Sequence, residues 1–234
     1  MPALKNINLT VHAGEIVGVA GVDGNGQLEL AECVVGLRSR TAGTIHVKDH
    51  LVNEVMSDPS FVGYIPADRQ KVGLFLGLTV AENLVVKDYK KPPYNRHGVL
   101  QYDTIRQHAK NLIKEYNIKT PTEEVDASNL SGGNQQKVVV ARELSEKPAL
   151  VIASQATRGL DLGAVESVHD FLLAERNRGA AVLFISTELQ EVMSISDRII
   201  VMFRGEIMGE VDGDDADVSV IGQMMLGKVE EVAA

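Results

Sequence analysis

Six short apolar runs, "EIVGVAG", "GTIHV", "VGYIPA", "ALVIAS", "AVLFIST" and "RIIVMF", are separated by segments whose apolar residues recur with helical period. Strands that alternate with helices need crossover connections, so this order predicts an α/β fold on a mainly parallel sheet. At 234 residues and 44% apolar, the chain can bury one sizeable core. Between residues 68 and 128 the strand signal nearly vanishes, which predicts an inserted helical subdomain. There "HAKNLIKEYNI" aligns Ala109, Leu112, Ile113 and Tyr116 on one helical face, and "YKKPPYNRHG" reads as an exposed polar loop. The tail "RIIVMFRGEIMGEV" reads as two strands joined at Arg204-Gly205, an antiparallel addition. A short amphipathic helix with Val220, Ile221, Met224 and Leu226 follows. The chain opens on alternating Leu4, Ile7, Leu9 and Val11, as expected of a domain excised from a longer protein.

Charge and composition exclude several classes. A net charge of −9 opposes a nucleic-acid partner, because phosphate binding needs clustered Lys and Arg. No apolar stretch is long enough to span a membrane, so any membrane role runs through a partner. The one cysteine, Cys33, lies in the apolar helical run "LELAECVVGL" and reads as an inert buried thiol. Histidines 12, 46, 50, 97, 108 and 169 are dispersed without ligand spacing, and no metal site is expected.

"GVDGNGQL" follows the first strand run and opens a helical one. Gly21, Gly24 and Gly26 fit the spacing of a phosphate-binding loop, whose backbone N–H groups face an anion. Such a loop reads G-x-x-x-x-G-K-[ST], and here Gln27 and Leu28 occupy the lysine and hydroxyl positions. A turn that needs only positive φ is the alternative, and both remain open on these residues alone. A dinucleotide fingerprint does not fit, because Glu29 stands at its third glycine.

In "NLSGGNQQKVVVAREL" Ser131, Gly132 and Gly133 open a second helix, whose start presents a hydroxyl and free N–H groups suited to a phosphate. Taken in order, the glycine loop, "LSGGNQQK", "ALVIAS", "RGLD" and "FISTEL" resemble the nucleotide-binding domain of ABC transporters. Within that family the chain is similar to the second of two tandem domains in the ATPase subunits of bacterial simple-sugar and nucleoside importers. The resemblance implies the P-loop NTPase fold of ABC ATPases over residues 1–234, with a helical subdomain at about 68–145.

It also implies roles and losses. Gln27 replaces the phosphate lysine and Leu28 the magnesium hydroxyl. Ser154 and Gln155 replace the metal-holding and water-orienting carboxylates, Ala67 the magnesium-sensing glutamine and Thr187 the switch histidine. Ser131, Gly132, Gly133 and Gln135 form an intact signature that would act in trans, and Arg158 to Asp161 resemble the loop crossing between two domains. The cofactors implied are ATP and Mg, bound mainly at a partner domain's site. The partners implied are a second nucleotide-binding domain in the same full-length chain, membrane permease subunits and, indirectly, a solute-binding protein. "DRQK", Asp68 to Lys71, reads either as a permease contact or as a solvated charge run. The location implied is peripheral, on the cytoplasmic side of the plasma membrane. The domain itself would show little or no ATPase activity, acting within a transport ATPase. A brace that never touches nucleotide is the alternative, and an autonomous ATPase would need a replacement carboxylate such as Glu188.

Overall fold

"IVGVA" is β-branched and apolar at alternate positions on both faces, the pattern of a strand covered on two sides, and β1 (Ile16–Ala20) is buried throughout. The computed structural model describes residues 3–228. From β1 the glycine turn leads into α1 (Gln27–Val34), then a small hairpin of β2 (His46–Val47) and β3 (His50–Leu51), the one-turn helix α2 (Val52–Val55) and β4 (Val62–Ile65). The chain then leaves the sheet for a π-turn (Arg69–Gly73), α3 (Val80–Val85), a hairpin of β5 (Asn95–Arg96) and β6 (Val99–Leu100), α4 (Tyr102–Glu115) and α5 (Gly132–Leu144). It returns through β7 (Leu150–Ser154), α6 (Leu162–Arg178), β8 (Ala181–Ile185), α7 (Leu189–Ile195), β9 (Arg198–Phe203), β10 (Glu206–Asp212) and α8 (Val218–Met225).

The main sheet runs β10-β9-β1-β8-β7-β4. Its β9-β1-β8-β7-β4 pairings are all parallel, and β10 joins antiparallel through the Arg204-Gly205 turn. Both turn residues have positive φ, as a two-residue hairpin of matching twist requires. The sheet divides two cores. One face packs Val17, Val19, Ile152 and Ile185 against α1 and α2, and the other packs Phe184, Val151 and Ile199 beneath α3 to α8.

Local signals set the helix ends. Thr79 and Glu82 form a reciprocal capping box at α3, Asp161 caps α6, and Gly179 ends α6 in the left-handed region. The expected face of α4 is buried at Ala109, Leu112 and Tyr116. Several expectations are corrected. "GTIHV" keeps only a two-residue strand. In "YKKPPYNRHG" a short hairpin forms, and Tyr94 is buried with its ring 5.2 Å from that of His108. In α8 only Ile221 is fully buried, while Val220 and Leu226 are exposed. Cys33 is buried as expected, and burial pushes its thiol pKa up.

Candidate functional site

Ladder register brings three of the predicted segments to one sheet edge. Val19 pairs with Ile185, and Ile185 pairs with Ser154, so the glycine loop after β1, Thr187 after β8 and Gln155 after β7 are neighbours. Gly24 and Gly26 have φ of 84° and 109°, values only glycine adopts without strain. The loop is tied to the β9–β10 turn: the Arg204 N–H donates to Asn25 Oδ1 and the Gly205 N–H to the Asn25 carbonyl, both at 2.9 Å.

Gln27, the first residue of α1, is buried, and its Nε2 donates to the Val22 carbonyl at 3.1 Å. A Cβ at Gly21 would collide with that amide, so Gln27 fills the space under the loop. Leu28 points outward and is 45% exposed, which leaves no hydroxyl at the metal-facing position. Ser154 is 1% exposed, and its Oγ is buried without a hydrogen-bond partner. Gln155 adopts positive φ and accepts from Thr187 Oγ1 at 3.3 Å. Gln27, Ser154, Gln155 and Thr187 are all neutral. Among the described residues no three His, Cys, Asp or Glu side chains gather to hold a metal ion. This donor set does not fit Mg-ATP, which needs cations for the phosphates and oxygen anions for the metal.

One carboxylate bonded to the segments at this edge is Glu191, which the motifs did not single out. Its Oε2 accepts from Thr157 Oγ1 at 2.7 Å and from Ser186 Oγ at 3.0 Å, joining the segments after β7 and β8. Behind it His169 stacks edge-on to Phe184, with Nε2 buried and unpartnered. Burial lowers the His169 pKa against an opposing pull from Glu191. Glu188 is exposed at the start of α7, with its N–H donating to Ser186 Oγ.

The signature residues lie elsewhere, and no hydrogen bond joins them to the glycine loop among the described residues. Ser131 is the exposed N-cap residue of α5, and its Oγ accepts from Asn134 rather than capping the helix backbone. The N–H groups of the first helical turn therefore remain available. A Cβ on Gly133 would lie 3.1 Å from Ala164 and 3.8 Å from Asp161 Oδ2, so the α5 start packs against the α6 start. Gln135 is placed behind the helix start rather than at it: it is 2% exposed and bonds Ala127 and Gln70.

A third feature is a groove of about 240 Å³ whose lining includes Leu37, Met56, Tyr64, Val72, Lys87 and Glu143. Leu37 and Val72 are exposed at its rim. At its floor Glu143 accepts from Lys87 Nζ at 2.8 Å, from Arg142 Nε at 2.9 Å and from the Tyr64 N–H at 3.0 Å. Burial alone would raise the Glu143 pKa, but Arg142 and Lys87 outweigh it and hold the carboxyl below its ordinary value.

Comparison with known proteins identifies the family. Residues 4–158 match the family model described as ABC transporter. The chain is 44% identical over 233 residues to the guanosine import ATP-binding protein NupO of Bacillus subtilis, covering 98% of this chain and 46% of that protein. It is 46% identical over 229 residues to the nucleoside import ATP-binding protein NupA of Lactococcus lactis, covering 96% of this chain and 45% of that one. The chain thus spans about half the length of the curated relatives it matches. Among solved structures, the dimeric structure of MJ0796, a bacterial ABC transporter cassette, superposes with a TM-score of 0.76 at 25% identity, covering 90% of each chain.

Proposed function

The chain belongs to the ABC transporter family, and from that premise we propose that it is the second ATP-binding domain in the ATPase subunit of a nucleoside or simple-sugar importer. Its own nucleotide site is degenerate, and it acts by lending the start of α5 to the ATP site of a partner domain in the same chain. One observation carries this reading: the Gly21–Leu28 loop is filled by Gln27 and holds no cation, while the α5 start keeps a hydroxyl and free N–H groups. Two or three lost charge-assisted contacts at ~1.5–3 kcal/mol each weaken nucleotide binding about a hundred-fold or more.

When bound at the partner's site, Mg-ATP supplies the phosphoryl group, and the partner supplies the metal ligands. This chain contributes Ser131 Oγ and the N–H groups of the first α5 turn at the positive end of the helix dipole. Gln135 holds that turn by its bonds to Ala127 and Gln70, and Asp161 starts α6 against Gly133. The relatives' double length supports a tandem partner, and nucleosides are favoured by what NupO and NupA import. No helix among the described residues is long and apolar enough to cross a membrane. Likeness to the import ATP-binding proteins NupO and NupA supports a peripheral place on the cytoplasmic side of the plasma membrane, with permease subunits seated in the Leu37–Val72 groove beside Asp68 to Lys71 and solute delivered to them by a binding protein.

The test uses the full-length subunit assembled with its permease. Ser131→Ala or Gly132→Asp should lower ATP turnover and import at least about tenfold, and Gln27→Ala should leave both within about twofold. A silent Ser131→Ala together with a strong gain from Gln27→Lys would reverse the assignment.

A further inference from the structure

The turn Arg69–Gly73 lies along α5 and is bonded to it at both ends. Gln70 Nε2 donates to Gln135 Oε1 at 3.0 Å, and Arg142 Nη2 donates to the Gly73 carbonyl at 2.7 Å. Arg69 reaches further. Its Nη1 donates to the Arg158 carbonyl at 3.1 Å, across 89 residues of sequence. Its Nη2 stands 2.8 Å from where a Cβ on Gly132 would be, so the guanidinium lies over the signature start. Its Nε is buried without a partner, and among the described residues no carboxylate forms an ion pair with it. The group is held by shape and one hydrogen bond rather than by neutralisation of its charge.

Gly132 is helical, so its backbone does not require glycine. The space above it is taken by the Arg69 guanidinium, the far end of a flexible side chain that any Cβ at 132 would displace. We propose that Arg69 is a positioning residue: its planar fork spans the Gly132 backbone and the Arg158 carbonyl, and so sets the signature start against the crossing loop Arg158–Asp161. The inference rests on the reading of α5 given above. A lysine cannot replace it, since an ammonium offers no flat face to lie on Gly132 while donating sideways to Arg158.

The experiment uses the full-length subunit with its permease and the variants Arg69→Ala, Arg69→Lys, Gly132→Ala and Ser131→Ala. Hydrogen exchange of amides 131–136 and 156–161 is measured alongside kcat and KM for ATP. Misplacing a group by a fraction of an ångström costs rate rather than ground-state binding, so both Arg69 variants should lower kcat about 5–20-fold with KM within about twofold. Exchange at 131–136 should rise about tenfold in both, and free guanidinium should restore part of the turnover of Arg69→Ala. Gly132→Ala should raise the same exchange in the parent but add nothing in the Arg69→Ala background, where the colliding group is gone. Should Arg69→Ala fail to fold, Arg69→Lys decides the same question. Parent-like exchange and kcat in Arg69→Lys would overturn the proposal. A silent Ser131→Ala would instead overturn the reading of α5, with exchange still judging Arg69 on its own.

Discussion

Gln27 donates to a carbonyl that Asn25 also reaches, at 3.2 Å, so shortening the side chain removes packing and one hydrogen bond without stranding its acceptor. Gln27→Ala should cost about 1–2 kcal/mol in urea unfolding. Ser154 has the opposite balance. Its buried Oγ has no partner, so Ser154→Ala removes an unmet polar group and should be neutral or stabilising by up to about 1 kcal/mol. His169 adds a pH dependence. Its folded pKa lies below the ordinary histidine value, so the fold favours the neutral ring. That stability is complete above the ordinary value and is lost as pH falls through the lower folded one. His169→Gln should flatten the decline of the urea midpoint below about pH 6.5. The places of Gln27 and Leu28 at the start of a helix, and of Ser154 and Thr187 at or just past the ends of strands, were legible in the sequence. The hydrogen bond of Gln27 under its own loop was not, because a side chain's rotamer depends on what the loop encloses.

Helix α3 and the loop before it depend on one buried amide. Asn83 accepts from the Phe75 N–H at 2.9 Å and donates to the carbonyls of Phe75, Leu78 and Thr79. Asn83→Ala strands several buried backbone groups and should cost about 2–4 kcal/mol, visible as an earlier thermal transition. Thr79→Ala breaks only the capping box and should cost about 1 kcal/mol. Element positions followed from period and punctuation, as α4 and the β9–β10 hairpin illustrate. The strand expected over "GTIHV" shrank to two residues, because an apolar run extends as a strand only where another backbone is free to pair with it.

Across the whole molecule, Glu143 joins the edge strand β4, the end of α3 and, through Arg142, the Arg69–Gly73 turn. Removing one charge from such a buried network leaves the others unpaired, so Glu143→Gln should cost about 3–5 kcal/mol, with part recovered by adding Lys87→Met. Because its folded pKa is lowered, the stability Glu143 supplies is present above the ordinary carboxylate value and is lost as pH falls below it. Thermal scans from pH 7 to pH 3 should show this loss in the parent and little of it in Glu143→Gln.

Sequence alone determined the α/β order, the strand–glycine–helix unit and the signature start, because these rest on residue period, on φ-permissive glycines and on neighbours within a few positions. Tertiary structure alone decided the partners of Arg69, Glu143 and Glu191, which lie 89, 79 and 34 residues away in the chain at Arg158, Tyr64 and Thr157. It also decided that Gln135 braces the α5 start from behind instead of facing outward. A one-dimensional pattern records which chemistry is present, while pairing across a fold depends on which strands and helices come to lie side by side.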